Sequence, residues 1–336
     1  MKQLFLFALT IAVFASCSKN QNDDVVTENR PVTIRFTQSN TFARSLFDNT
    51  AVAQPWEKTV NSISLYFYDA AKLLVKRNLT AGEIAAGKVI FALPRSFSGT
   101  GNIYAVANYS ITEDVSAESS IRAILEKTPE AYNGTIEEVS SLSMRNGGFV
   151  LSGFVSHNFS SSVSDKTELS IALRRTVAKV QLKTVIDPLF YRKYPGKVKI
   201  IDAQVKKAAA QSALFDHVMP NTGAMNYSHA QAPMLHENDS FNLFYVYENG
   251  GLPAESSVMI EVTGLWDRDG NFNTIADQEI VTYHVPVAGT EYGEIKRNGC
   301  YFITANITGL GGNALDCTMV VSDWESPVNE SVQVGF

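Results

Sequence analysis

The chain has 336 residues, 45% of them hydrophobic, which is enough for a sizeable buried interior and too many for one comfortable core. Its 34 acidic side chains exceed its 28 lysines and arginines, giving a net charge of −6, and this argues against a nucleic-acid partner, which needs a basic face to replace counterions. No segment beyond the amino-terminal stretch is long and apolar enough to cross a bilayer.

Residues 1–17 set the compartment. Lys2 supplies a positive start, and Leu4 to Phe14 form an apolar run too short to span a membrane, as in a signal peptide. The run ends in Phe14-Ala15-Ser16-Cys17, which resembles a bacterial lipobox whose cysteine accepts a diacylglyceryl group, so Cys17 is the expected lipidation site and the outer membrane the expected anchor. An ordinary secretory peptide cut just before a cysteine is the alternative. Residues 18–30 open with Ser18-Lys19-Asn20-Gln21-Asn22-Asp23-Asp24, a tract without an apolar side chain that suits a solvated tether and loosely resembles the signal sending Bacteroidetes lipoproteins to the cell surface.

About 310 residues remain after the start of the tether, which suits two domains of roughly 150. The dominant period from here on is two, that of strands with one face in a core. Pro31 to Phe36 places Val32, Ile34 and Phe36 on one face. Thr59 to Tyr68 alternates Ile63, Leu65 and Phe67 against Ser62, Ser64 and Tyr66, with Val60 out of phase and a turn near Asp69 to Lys72. Further strands are expected at Val89–Leu93, Asn102–Asn108, Gly148–Val155, Glu168–Leu173, Val177–Val185, Lys197–Val205, Phe241–Tyr247, Ser257–Thr263, Glu279–Val287, Gly299–Ile307 and Cys317–Val321. One helix is expected over Ser119–Lys127, capped by Ser119 or Ser116 and stopped by Pro129, and a helical turn around Lys206–Leu214. Such a succession of strands with polar turns predicts a mainly β protein of two antiparallel β-sandwiches.

The boundary between the two follows from a change of phase. Leu169, Ile171 and Leu173 are odd-numbered, whereas Val180 and Leu182 are even-numbered, and a slip of one residue reverses the faces of a strand. Two strands in two cores satisfy this, so the domains are expected at 31–175 and 176–336; a β-bulge inside one strand is the alternative. Cys300 and Cys317 flank the loop from Gly309 to Asp316. A hairpin centred there sets Cys300 opposite position 325 and Cys317 opposite position 308, too far apart to bond, and favours two half-buried free thiols.

Asp267, Asp269, Asn271 and Asn273 have the two-residue spacing of a calcium loop. Gly270 stands fourth rather than sixth, and Gln278 holds the twelfth position where a glutamate is required, so a hairpin turn explains the segment better. His157, His217, His229, His236 and His284 show no metal spacing. No Gly-x-Ser-x-Gly turn surrounds Ser152 or Ser160-Ser161-Ser162, Glu137-Glu138 is expected to face water, and no helix follows the glycine-rich Gly309 to Asn313. No catalytic, cofactor-binding or metal-binding residue is therefore assigned.

The end of the sequence repeats its beginning. Val332-Gln333-Val334-Gly335-Phe336 places Val332, Val334 and Phe336 on one face, as Val32, Ile34 and Phe36 are placed, so a strand of one molecule suits the pockets filled by the other.

Several short segments now occur in order: Val60-Asn61-Ser62-Ile63-Ser64-Leu65-Tyr66-Phe67-Tyr68-Asp69, Ile103-Tyr104-Ala105-Val106-Ala107-Asn108, Leu173-Arg174-Arg175-Thr176-Val177-Ala178-Lys179-Val180, Tyr245-Val246-Tyr247-Glu248-Asn249, Lys296-Arg297-Asn298-Gly299-Cys300-Tyr301 and Val321-Ser322-Asp323-Trp324. Together they resemble the fimbrillin family of Bacteroidales, the type V pilins. The resemblance implies two transthyretin-like sandwiches, export as a lipoprotein, and assembly into surface filaments by donor-strand exchange after an arginine-specific protease releases the first strand. Carried onto this sequence, the cut falls between Arg44 and Ser45, making 31–44 a removable first strand and Val332, Val334 and Phe336 the donor row. Partners would be other fimbrial subunits and a host or bacterial surface ligand. Alternatives are an uncleaved anchor or tip subunit, and a glycan-binding surface lipoprotein using Trp56, Trp266 or Trp324 as stacking platforms.

Overall fold

The computed structural model describes residues 29–37, 53–69, 72–94, 97–159, 167–215, 224–236, 239–249, 258–287, 295–312, 314–324 and 329–334. The signal segment with Cys17, most of the tether, Arg44, Ser45, His217 and Phe336 lie outside the described residues.

The first half contributes strands β1 (Asn29–Thr37), β2 (Ile63–Asp69), β3 (Lys72–Asn78), β4 (Lys88–Pro94), β5 (Gly99–Ala107), β6 (Leu125–Glu126), β7 (Leu151–Phe159), β8 (Thr167–Ala172) and β9 (Arg174–Arg175). A three-stranded sheet in the order β4-β1-β8 lies over a five-stranded sheet in the order β3-β2-β5-β7-β9. Between them Val32, Ile34, Val89, Phe91, Leu93, Leu169 and Ile171 meet Ile63, Leu65, Phe67, Ile103 and Phe159. The period-two pattern is what allows this, since one face of each strand carries the apolar set.

The second half contributes β10 (Val177–Ile186), β11 (Lys197–Ala208), β12 (Ser212–Ala213), β13 (Tyr227–Gln231), β14 (Met234–His236), β15 (Asp239–Tyr247), β16 (Met259–Asp267), β17 (Gln278–Pro286), β18 (Gly299–Ile307), β19 (Leu315–Asp323) and β20 (Asn329–Val334). A six-stranded sheet, β14-β15-β10-β18-β19-β20, packs on a four-stranded one, β13-β11-β16-β17. Among the described residues, strands through β9 pair with one another and strands from β10 pair with one another, except that β12 pairs with β6. Leu169 and Ile171 enter one core and Val180 and Leu182 the other.

Several expectations change. The strand expected from Thr59 begins at Ile63, and Tyr66, expected to face water, is 1% exposed because Ile111, Val115, Ile121, Ile124, Leu214 and Phe215 cover the outer face of the five-stranded sheet. The helix expected over Ser119–Lys127 shortens to α2 (Glu118–Arg122), which follows α1 (Ala81–Ala86) in the chain. α2 has no side-chain cap, and Leu125–Glu126 instead form β6, because Leu125 and Glu126 find partners in β12. Pro129 opens a 3-10 turn, Pro129–Tyr132, at a position where proline loses no helical hydrogen bond. Lys206–Leu214 is not helical: β11 runs through Ala208 past a register shift against β13, and Ser212–Ala213 pairs with β6.

Two features of the second half are settled by register. Cys300 faces Ser322 and Cys317 faces Ala305, not positions 325 and 308, since the hairpin is centred slightly earlier than expected. The thiols are still five residues apart along β18, about 16 Å at ~3.3 Å per residue, and both are free and buried. Burial pushes the Cys300 thiol up to about 11 and the Cys317 thiol up to about 12, which keeps both protonated and unreactive. The segment after Asp267 is a hairpin loop between β16 and β17. Asp267, Asp269 and Asp277 approach one another there, with Asp267 accepting from the Asn271 amide at 2.9 Å and from Gln278 Nε2 at 3.1 Å.

β15 has little neighbour on one side, because β14 covers only Asp239–Phe241. Two primary amides replace the missing strand. Gln231 donates to the Leu243 carbonyl at 3.1 Å and accepts from its N–H at 3.0 Å, and Asn133 does the same for Tyr245 at 2.8 Å in both directions. Each amide satisfies one rung of an otherwise open edge.

Candidate functional site

β1 is the middle strand of its sheet. It runs antiparallel to β4, with Val32 on Phe91 and Ile34 on Val89, and parallel to β8, with Val32 on Thr167 and Ile34 on Leu169. Val32 and Ile34 are 0% exposed, and Phe36 is half-buried against the same core. Beyond the ladder, the Phe36 N–H donates to the Gly87 carbonyl at 2.8 Å; Gly87 takes the left-handed conformation, φ +61°, that closes α1. The floor under β1 is aromatic. Phe67 lies 5.9 Å from Phe91, 5.5 Å from Phe97 and 5.8 Å from Phe159, ring centre to ring centre. Gly101 makes room for this cluster, since a Cβ there would stand 2.6 Å from the Phe67 ring. Without β1 the sheet would be split, leaving an apolar slot bounded by unpaired edges of β4 and β8.

At the other end of the sequence, β20 is an edge strand antiparallel to β19, with Val332 on Met319 and Val334 on Cys317. The two candidate strand sequences thus occupy different sheets of the same chain, one central and one at an edge.

The segments that carry the family resemblance converge where the two halves meet. Glu57, 0% exposed, sits in the 3-10 turn Pro55–Lys58 and accepts from Lys179 Nζ at 2.8 Å, from the Tyr245 hydroxyl at 2.6 Å and from the Gln54 N–H at 2.6 Å. Arg175 donates to the Glu57 carbonyl at 2.9 and 3.1 Å, to Asn298 Oδ1 at 2.9 Å, and lies 4.1 Å above the Trp324 ring. Trp324 in turn stacks on Tyr245, at 5.8 Å and 17°. Burial first, and then the Glu57 carboxylate, hold the Tyr245 hydroxyl well above its ordinary range and so protonated. Nearby, Arg297 joins Glu248 to the carbonyls of Ala213 and Leu214 at 2.6 and 2.8 Å. In the first half Asn108, with φ +59°, ties Thr59 and Phe149 together through its amide and accepts from the Asn61 N–H. Arg175, Lys179, Tyr245, Glu248, Arg297, Asn298 and Trp324 stand in the sequence pattern without their contacts being legible there, and Glu57 stands outside it.

Glu126 adds a titratable element to this region. It accepts from Thr176 at 2.6 Å and from the Tyr132 hydroxyl, with Arg145 at 3.5 Å, yet burial outweighs these and raises its carboxyl above the ordinary range. A carboxyl raised on folding holds its proton better in the native state, so its contribution is fully present below the unfolded value near 4.5 and is lost as pH rises through the folded value. Glu126→Gln is expected to flatten that limb of the stability profile, measured by urea unfolding between pH 4 and pH 8.

Trp324 and Trp266 are 1% and 7% exposed and Trp56 packs half-buried on the core, so none of the three presents the platform a sugar ring needs. Glu137 and Glu138 are exposed, as expected. His284 stands 3.6 Å from Glu261, and His229 faces the Gly134 carbonyl at 3.2 Å.

No protein-family model and no curated protein matches the sequence. Solved structures do match the fold. A protein assigned to cell adhesion from Bacteroides eggerthii shares 15% identity at a TM-score of 0.60, over 90% of this chain and 98% of its own. A fimbrilin from Porphyromonas gingivalis shares 15% at 0.56, over 89% and 99%, and the tip fimbrial protein Mfa3 of the same organism 14% at 0.56, over 88% and 100%. Across nearly its whole length, this chain carries the fold of the Bacteroidales fimbrillins.

Proposed function

We propose that this chain is a fimbrillin-family structural subunit of bacterial surface fimbriae, non-catalytic and serving adhesion to a host or bacterial surface. In this reading it is exported as a lipoprotein on Cys17 to the outer membrane and consists of domains 31–175 and 176–336. It polymerises with other subunits by donor-strand exchange once cleavage between Arg44 and Ser45 frees the first strand. The observation that carries the reading is the central position of β1, whose removal would open a slot that an extended segment from a neighbour could fill in the same two ladders. Val32 and Ile34 together contribute roughly 3–6 kcal/mol of apolar burial as an upper estimate, so the strand is well held until it is cut.

Mass spectrometry of the mature protein on cells, together with electrophoresis after mild denaturation, tests this. A chain starting at Ser45 and running as multimer ladders is expected, with deletion of Ser331–Phe336 shortening the ladders by removing this chain's own donor strand. A chain that keeps lipidated Cys17 and its first strand would move the assignment to an uncleaved anchor or tip subunit.

A further inference from the structure

The inward row of β1 begins with a charge. Arg30 is 6% exposed; its guanidinium donates to the Phe97 carbonyl and lies 5.1 Å from the centre of the Phe159 ring. On the outward row Arg35 pairs with Glu168 of β8. A carbonyl oxygen, an aromatic face and a carboxylate all present negative potential, so both charged places along this slot suit a cation.

The carboxy-terminal segment meets these places differently. Asn329–Phe336 aligns rung by rung with Asn29–Phe36, putting Val332 on Val32, Val334 on Ile34 and Phe336 on Phe36. The same alignment puts Glu330 on Arg30 and Gly335 on Arg35. A strand entering in the direction of β1 keeps the antiparallel ladder to β4 and the parallel ladder to β8, which makes this the natural register. There the Glu330 carboxylate would meet the Phe97 carbonyl and the face of Phe159, neither of which offers it a proton, and Glu168 would lose its arginine. Reversed entry is no better, because Glu330 would then take the half-buried place of Phe36.

We propose that the slot under β1 selects a donor strand from a different subunit rather than the tail of a second copy of this chain. The favoured donor is an extended segment carrying Arg or Lys two residues before a row of two alternating β-branched residues and an aromatic one. This rests on the strand-exchange reading above. The apolar row supplies adhesion common to many donors, and the cation seat discriminates among them.

The test uses the full chain with a specific protease site at 41–45, nicked after folding so that β1 stays in place but is no longer covalently attached. Three synthetic peptides are offered and their exchange is followed by native mass spectrometry: isotope-labelled Asn29–Thr37, the tail Asn329–Phe336, and that tail with Glu330→Arg. The labelled first strand and the Glu330→Arg tail are expected to enter, the latter about tenfold more tightly than the unmodified tail. In a nicked chain with Phe159→Leu, which keeps the floor apolar but removes the ring, that gap is expected to shrink; an unchanged gap counts against the ring as cation seat. Equal uptake of the two tails overturns the selectivity and leaves strand exchange standing. Failure of the labelled first strand to re-enter overturns strand exchange itself, and the selectivity with it.

Discussion

Replacing Lys179 by methionine is expected to lower stability by about 3–5 kcal/mol, the cost of stranding a buried carboxylate. Lys179 is 2% exposed and Glu57 0%, so water cannot take over the role of the ammonium group. Glu57 would keep the Tyr245 hydroxyl and the Gln54 N–H, which satisfy part of its oxygen capacity but not its charge. The double variant Glu57→Leu with Lys179→Met is expected to recover much of the loss, because an apolar pair of similar volume avoids desolvating two ions. Urea unfolding of the two single variants and the double one measures the coupling. A Lys179→Met chain within 1 kcal/mol of the parent would show that the pair does not hold the Pro55–Lys58 turn against the second half.

Along β1 the cost of substitution is expected to alternate. Ile34→Ala should cost about 2–5 kcal/mol and Ile34→Asp more, since the side chain is fully enclosed by the core shared with Phe67 and Phe91. Arg35→Ala, one residue on, should change stability by about 0.5 kcal/mol or less, its salt bridge with Glu168 being more than half exposed. Thermal unfolding of the three variants reads the alternation directly. Equal losses at 34 and 35 would mean that β1 is not seated in its sheet as described. In the functional reading, Ile34→Asp also loosens the strand before any cut, so an uncleaved Ile34→Asp chain should take up an added Asn29–Thr37 peptide where the parent does not.

How much was legible in the sequence depended on whether a strand keeps a solvent face. β4 and the first part of β11 do, and Val89, Phe91 and Leu93 or Val198 and Ile200 stand out by alternation against exposed neighbours. β10 does not: Lys179 and Gln181 are as buried as Val180 and Leu182, because residues of the first half cover the outer side of the six-stranded sheet. A lysine at a period-two position reads as facing water, and its partner Glu57 lies 122 residues away in a turn without a strand pattern. The short strands β12, β13 and β14 were invisible for a related reason, being held by register with longer neighbours rather than by an apolar row of their own. The strand-exchange candidates were legible because Val32, Ile34 and Phe36 announce a face. The cation seat at Arg30 was not, since a charge at the start of a strand ordinarily points to its end.

The amide of Asn133 has a consequence for how the protein is made. It belongs to the first half but completes a rung of β15 in the second, so the cover precedes in the chain the strand that needs covering. Synthesised in the opposite order, or expressed from 176 onward, the later sandwich would present a bare rung at Tyr245 to whatever chains surrounded it. The earlier half thus covers a rung that would otherwise be open to unscheduled β-pairing, in a molecule whose proposed work is to pair strands on schedule.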